Sequence, residues 1–257
     1  MPTLSLVMPM AGRGSRFARA GHTLPKPLVD LFGRPFYWWA TESVRQAAPV
    51  GEIVFVVLRE HCESFGIDAR IRADYPDAKL VVLDDVTEGA AETARLGIEA
   101  LESAGPIAIN DCDHAFACPD LGDLATALGT DTQAALITFR SDSPNFSYAR
   151  LGPDGSVTGT VEKQVVSPFA IAGCYLFQSP AAFHDAYAVF RRTCPYDELF
   201  LSGVIDQIAQ TGGRVDLSEL AHHFPFGTPE ELARLDADRL YAALPWSAPD
   251  PQDPSND

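Results

Sequence analysis

"LSLVMPMAGRGSRFARAGHTLPKPL" occupies residues 4–28. Residues 4–10 form a short, nearly continuous apolar run that ends at a glycine-bearing loop. Such a run, without polar alternation, predicts a strand buried on both faces, as in a parallel sheet covered by helices. The loop after it is chemically different. Gly12 and Gly14 flank Arg13, then come Ser15 and Arg16, and Lys26 stands between Pro25 and Pro27. Glycine lets the backbone turn sharply and present its N–H groups to an anion. Arginine forks onto phosphate oxygens, and two prolines stiffen the backbone around the lysine. Taken alone, the loop fits an anion cradle and a plain charged turn alike. The Walker A spacing is absent, and no third glycine completes the dinucleotide fingerprint.

Further along, the same alternation of strand and helix repeats. Apolar strands are expected at 52–58, 79–84, 106–111 and 133–139, and helices at 35–48, 62–75, 89–104 and 121–129. This order predicts an α/β domain with a Rossmann-like, mostly parallel sheet and helices on both faces. Ligands of such sheets bind beyond the carboxyl ends of the strands. The opening loop and "INDCDHAF" at 109–116 both follow strand ends, so both point to one crevice. After about residue 140 the texture changes. A β-hairpin is expected around the Pro-Asp-Gly at 153–155, and a strand at 170–177. Helices are expected near 180–191 and 199–211, then a short strand at 215–220. A final helix over 228–244 has Thr228 as N-cap and a proline at its first position. "PWSAPDPQDPSND", residues 245–257, reads as a Pro/Asp-rich tail without packed structure.

The 257 residues include 19 Lys and Arg against 35 Asp and Glu, a formal net charge of −16. At long range this surface repels nucleic acid and anionic membrane, so neither is expected as a partner. A polyphosphate would bind only where local groups overturn the global field. The five cysteines are widely spaced with no C-x-x-C pair, which suggests reduced thiols and no zinc site. The first residues lack the basic and apolar regions of a signal peptide, and a cytoplasmic location is expected.

The opening stretch as a whole resembles the start of the sugar-phosphate nucleotidyltransferases, in the nucleoside-triphosphate transferase family. Their pattern is G-x-G-[ST]-R, then P-K-P-L, then G-[KR]-P. Gly12, Gly14, Ser15, Arg16, Pro25, Lys26, Pro27, Leu28, Gly33, Arg34 and Pro35 match it. The resemblance implies a GT-A-like nucleotidyltransferase fold and transfer of a nucleotide from a nucleoside triphosphate to a sugar 1-phosphate. The products would be a nucleotide sugar and pyrophosphate, with Mg²⁺ as cofactor, in nucleotide-sugar and polysaccharide biosynthesis. By this match Arg16, Lys26 and Asp113 are catalytic, and Asp113 is also the metal carboxylate, with Asp111 a nearby alternative. Ala11, Gly12, Arg13, Gly14 and Ser15, with Glu88 and Gly89 of "TEGAAETA", hold the nucleotide. "VEK" at 161–163 and "AGCYLF" at 172–177 match the acceptor segments. That assigns Glu162 to sugar hydroxyls, Lys163 to the sugar phosphate, Gly173 to close approach of substrate, and Tyr148, with Glu198, to the sugar pocket. Residues 1–240 would form one domain, with a nucleotide-binding part to 139 and a sugar-phosphate-binding part from 140. Residues 241–257 would be the tail. A homo-oligomer is compatible with the sequence.

There are departures. Cys112 stands where glycine is usual and Gln164 where proline is usual. In the family's D-[VI]-G-T-P segment, Gly227, Thr228 and Pro229 match, but Pro225 replaces the aspartate that provides the second metal ligand. His222 and His223 lie nearby and read as structural. Three rival functions follow: a cytidylyltransferase for a non-sugar phosphate or phosphonate, a glycosyltransferase using "DCD" at 111–113, and a non-catalytic nucleotide-binding module.

Overall fold

In β1 (Leu4–Pro9), Leu4, Leu6 and Met8 enter one apolar layer while Val7 enters another. The same period of two runs through β4 (Val50–Leu58), where Phe55 and Val57 face one layer and Val54, Val56 and Leu58 the other. Both faces of the central strands are therefore buried, which is why their sequences look continuously apolar. The computed structural model describes residues 2–248. Residues 249–257 of the expected tail lie outside the described residues.

The remaining sheet strands are β5 (Lys79–Leu83), β6 (Ile107–Asn110), β8 (Ala134–Arg140), β9 (Tyr148–Leu151), β10 (Val157–Val161), β11 (Phe169–Phe177) and β12 (Val215–Glu219). Their order is β10-β9-β11-β6-β1-β4-β5, and β8 pairs with both β11 and β12. β1, β4, β5 and β6 are mutually parallel, whereas β11 runs antiparallel to β6, β8 and β9. The sheet is thus mixed but mostly parallel, as expected. Two small ladders lie outside it. One joins β2 (Asp30–Leu31) to β3 (Arg34–Pro35), and the other joins β7 (His114–Ala117) to β13 (His222–Pro225).

Helices cover both faces. One layer packs under α2 (Phe36–Ala47), α4 (Ile67–Asp74) and α6 (Leu121–Ala127). The other packs under α5 (Ala90–Ile98), α7 (Pro180–Thr193) and α8 (Leu201–Gln210). A third apolar cluster gathers Phe17, Leu31, Phe36, Trp39, Phe224, Phe226, Leu240 and Leu244.

Several boundaries differ from the sequence expectation. The helix expected over 62–75 is two, α3 (Arg59–Phe65) and α4, broken where Gly66 takes φ +64°. The helix expected to 104 stops at Ile98. Beyond it, the Ala100 carbonyl accepts from Lys79 Nζ, and Glu52 accepts from the backbone of Glu102 and Ser103. The helix expected over 228–244 is α9 (Pro229–Leu232) and α10 (Ala237–Ala243), because Asp236 caps a new start by accepting from Arg239 N at 2.8 Å. The tail does not begin at 241. Leu244 is fully buried, and the Trp246 ring lies 6.0 Å from Trp38 and 6.2 Å from Trp39, so Tyr241, Ala243, Leu244 and Trp246 close the third cluster. The apolar spacing of Leu240, Leu244 and Trp246 outweighs the neighbouring prolines.

Candidate active site

The sheet order reverses at β1: β4 and β5 extend to one side, and β6 then takes the other. In open α/β sheets the ligand crevice forms beyond the strand ends at such a reversal. The loops after β1 and β6 meet there. Lys26 Nζ donates to Asp113 Oδ2 at 2.6 Å, joining groups that are 87 residues apart in sequence.

Local structure explains the meeting. Pro25 is extended, and Lys26–Leu28 makes one 3₁₀ turn closed by Leu28 N donating to the Pro25 carbonyl at 2.8 Å. Gly14 caps α1 (Ser15–Arg19) with φ +58°, and a Cβ there would lie 3.0 Å from Lys26 Cβ. The glycine supplies the dihedral and clears the lysine stem. Arg16 is exposed on α1 and enters no ion pair among the described residues. Arg13 reaches the loop after β5, donating to Asp85 Oδ1 at 2.9 Å in an exposed pair.

The carboxylates behave differently. Burial pushes the Asp113 carboxyl up, but the Lys26 ammonium overrides that and the net shift is downward, so Asp113 stays ionised. Burial also lowers Lys26, and the Asp113 charge reverses it, with Cys112 and Asp111 adding to the upward shift. Asp111 has no such partner. Burial, then the Asp113 charge, pushes it up to about 7. Of the two aspartates, Asp113 is the one that holds its charge at neutral pH.

Beneath them lies a buried relay. Asn110 Nδ2 donates to the Ala40 carbonyl, which leaves Oδ1 to accept from His114 Nε2 at 2.9 Å. His114 Nδ1 then accepts from His223 Nε2 at 3.3 Å. Burial holds His114 at about 4 and His223 well below its ordinary value, so both rings are neutral. His223 also packs on the Phe139 ring, 4.2 Å between centroids. It is a core histidine, whereas His222 is exposed.

In the segment expected to meet the acceptor, Glu162 directly follows β10. Its Oε1 accepts from Ser147 Oγ at 2.5 Å and from Ser202 Oγ. Lys163 is exposed, takes φ +52°, and holds its ammonium 5.3 Å from the centre of the Phe200 ring. Glu198 is exposed in the loop before α8.

Three residues expected here do other work. Tyr148 is wholly buried and its hydroxyl donates to the Ser143 carbonyl at 2.7 Å, so it is a core residue. Gly173 makes room for Asp111: a Cβ would lie 2.8 Å from Asp111 Oδ2. Gly89 makes room for the backbone of Leu199, whose nitrogen would lie 2.5 Å from a Cβ at residue 89. Beside it, Glu88 accepts from Arg191 at 2.8 Å.

Three further residues that the sequence reading did not assign to the site border Asp113. Phe226 N donates to the Asp113 carbonyl at 2.9 Å, and a Cβ on Gly227 would lie 2.5 Å from Asp113 Oδ2 and 3.5 Å from Glu231 Oε2. Burial, then the Asp113 charge, raises the Glu231 carboxyl. Pro225 pairs with His114 in the β7–β13 ladder and offers no donor. For Glu231 the sequence signal is the T-x-x-E capping box alone.

Carboxylate oxygens such as those of Asp113 and its neighbours suit a hard divalent cation such as Mg²⁺. No three His, Cys, Asp or Glu side chains converge as a ready metal site among the described residues. Bound phosphates and waters would complete the shell, as Mg²⁺ commonly requires. All five cysteines are free, as expected, and no described helix is long and apolar enough to cross a membrane.

The family described as the MobA-like NTP transferase domain matches residues 7–199. The bifunctional enzyme IspD/IspF of Nitratidesulfovibrio vulgaris is 25% identical over 240 residues, covering 91% of this chain and 58% of that one. The chain therefore spans little more than half the length of that relative. A nucleoside-diphosphate-sugar pyrophosphorylase from Vibrio cholerae RC9 superposes with TM-score 0.75 at 24% identity, over 89% of this chain and 98% of that one. The inositol-1-phosphate CTP transferase from T. maritima gives TM-score 0.70 at 15% identity, over 94% of each chain. These two establish the fold.

Proposed function

Because the chain belongs to the MobA-like NTP transferase family, we propose that it transfers a nucleoside monophosphate from a nucleoside triphosphate to a sugar 1-phosphate, releasing pyrophosphate. The observation that carries this reading is the Lys26–Asp113 pair at the strand-order reversal, where a lysine and an ionised carboxylate from the segments after β1 and β6 meet.

The acceptor phosphate is already ionised at neutral pH, so its oxygen attacks the α-phosphorus without a general base. Catalysis then comes from alignment and charge stabilisation. Lys26 turns from Asp113 to the α-phosphate and the attacking phosphate, where it offsets the charge that builds between them. Arg16, unpaired on α1, takes the β- and γ-phosphates and steadies the departing pyrophosphate. Asp113, freed from the lysine, would hold Mg²⁺, with Asp111 the nearby alternative, and the bound ion would supply positive charge to the phosphates. Ala11, Gly12, Gly14 and Ser15 present backbone groups to the triphosphate, and Arg13 closes on it from the rim. Glu88 borders the base. Glu162 accepts from acceptor hydroxyls through Oε2, since its other oxygen is already engaged. Lys163 meets the acceptor phosphate.

A second reading is a cytidylyltransferase for a non-sugar phosphate. The favouring observation is the thin set of hydroxyl contacts: with Tyr148 in the core, Glu162 stands nearly alone. Among the relatives, the T. maritima enzyme uses CTP and its name specifies an inositol phosphate.

The test is pyrophosphate release with Mg²⁺, each common nucleoside triphosphate, and a panel of sugar 1-phosphates and polyol phosphates. Release that requires one triphosphate and one sugar phosphate is the expected result. Release with a non-sugar phosphate alone selects the second reading. Nucleotide binding without release across the panel would leave a binding module and overturn both.

A further inference from the structure

We infer that Glu231 supplies the second carboxylate to the divalent cation of this site, in place of the aspartate that Pro225 has displaced. This rests on the nucleotidyltransferase reading and its metal, and goes beyond it by naming the residue that repairs the departure from the family pattern.

The argument is geometric. Position 225 cannot ligate: proline has no side-chain donor, and the residue is committed to the ladder opposite His114. Six residues on, Glu231 is turned back toward the start of its own helix. Thr228 N donates to Glu231 Oε2 at 3.0 Å, and Glu231 N donates to Thr228 Oγ1 at 3.1 Å. That reciprocal capping box fixes the glutamate over the segment that precedes the helix instead of letting it extend into solvent. Pro229 presets the first turn. The preceding segment is pinned in turn, because Phe226 N donates to the Asp113 carbonyl.

Gly227 stands between the two carboxylates. Its absent Cβ would lie 2.5 Å from Asp113 Oδ2 and 3.5 Å from Glu231 Oε2, so those oxygens are no more than 6.0 Å apart across a residue that fills none of the space with a side chain. Asp113 Oδ2 is also the oxygen that now holds the Lys26 ammonium. A cation entering as Lys26 turns to the phosphates meets Asp113 first and Glu231 next. Glu230, its neighbour, is exposed and takes no part in the box.

The experiment titrates Mn²⁺ alone into the purified chain and follows free Mn²⁺ by electron paramagnetic resonance, with no nucleotide and no turnover. Glu231→Gln keeps the capping box, since glutamine serves at that position, and its thermal midpoint should match the native one. The expected result is about tenfold or more weaker Mn²⁺ binding in Glu231→Gln, loss of binding in Asp113→Asn, and no change in Glu230→Gln. Moving the carboxylate back, as Pro225→Asp in the Glu231→Gln background, should restore affinity. If Asp113→Asn loses Mn²⁺ while Glu231→Gln binds within twofold of native, the inference falls and the metal reading stands. If Asp113→Asn binds as the native chain does, the metal reading falls and the inference with it; if the native chain takes up no Mn²⁺ alone, the titration is repeated with inorganic pyrophosphate to draw Lys26 from Asp113, and no uptake by the chain there overturns both. Should Glu231→Gln melt far below native, Pro225→Asp alone decides: tighter binding supports the inferred shell, and unchanged binding overturns it.

Discussion

The two sides of the crevice hold their charges by different means. On the nucleotide side, Lys26 and Asp113 neutralise each other directly, and the ion pair lies partly buried where two loops meet. On the proposed acceptor side, Glu162 is held by two neutral hydroxyls on one oxygen and enters no ion pair among the described residues. In the proposed reaction such an ion pair is a reserve: both partners would gain when an anion and a cation arrive together, the lysine passing to phosphate and the carboxylate to metal. A carboxylate gripped by serines has no such alternative partner. It is fixed in direction, which suits reading hydroxyl positions.

The largest expected effect breaks the first side. Lys26→Ala should lower turnover by about 10²-fold or more, since a charge aimed at the transition state is lost. The fold should persist, because the lysine packs no core cluster. Rates with saturating substrates, read beside the circular dichroism spectrum, check this. Turnover within a few-fold of native would move the phosphate-facing role to Arg16.

Next in size is a stability effect on the same side. Asp111 is held at about 7 by burial and the Asp113 charge, well above its unfolded value. A carboxyl raised on folding favours the native state fully below the unfolded value of about 4, and that contribution is lost as pH rises through 7. Asp111→Asn removes the penalty. At pH 8 the variant should be more stable than native by roughly 1–3 kcal/mol in urea unfolding, and the gain should vanish near pH 4. A variant less stable at pH 8 would mean that the Lys26 ammonium compensates both aspartates, not Asp113 alone.

How much of this could be seen in the sequence depends on where each residue's partner lies. Lys26 is framed by its own prolines and follows a strand, and Asp113 follows another strand. Both were legible because local pattern places them at strand ends. Gly89 and Gly173 read as substrate-facing glycines, yet the atoms that require them belong to Leu199 and Asp111, far off in sequence. Tyr148 looks like a pocket tyrosine until Ser143 and the sheet enclose it. The β7–β13 ladder, built from residues more than 100 apart, left no signal in either short segment. At the C-terminus a compositional reading of prolines failed because three apolar side chains sufficed to seal the third cluster.

A smaller effect tests the acceptor side. Ser202→Ala removes one of the two hydroxyls on Glu162 Oε1 and leaves Ser147 in place. The acceptor KM should rise several-fold, roughly the worth of one charge-assisted hydrogen bond shared between two donors, with the nucleotide KM unchanged. Glu162→Gln should raise it further. If Ser202→Ala shifts the nucleotide KM instead, the hydroxyl is serving α8 packing and the two sides are coupled through that helix.

The smallest effect is expected at Arg13, and it separates the loop's two arginine-like roles from the lysine's. Arg13 pairs with Asp85 at 2.9 Å, but both side chains are about two-thirds exposed, at 65% and 71%. A pair in that setting is screened by water and salt, and its contribution is typically below about 1 kcal/mol. Arg13→Ala should therefore leave the melting temperature within about 2 °C of native. Its use is at the rim, where an arginine that swings from Asp85 to a triphosphate would affect binding and not the chemical step. The nucleotide KM should rise two- to five-fold at low salt, the difference from native should shrink as ionic strength increases, and kcat should stay level. A fall in kcat comparable to that of Lys26→Ala would place Arg13 against the reacting phosphates, and the division of labour between rim arginine and buried lysine would have to be redrawn.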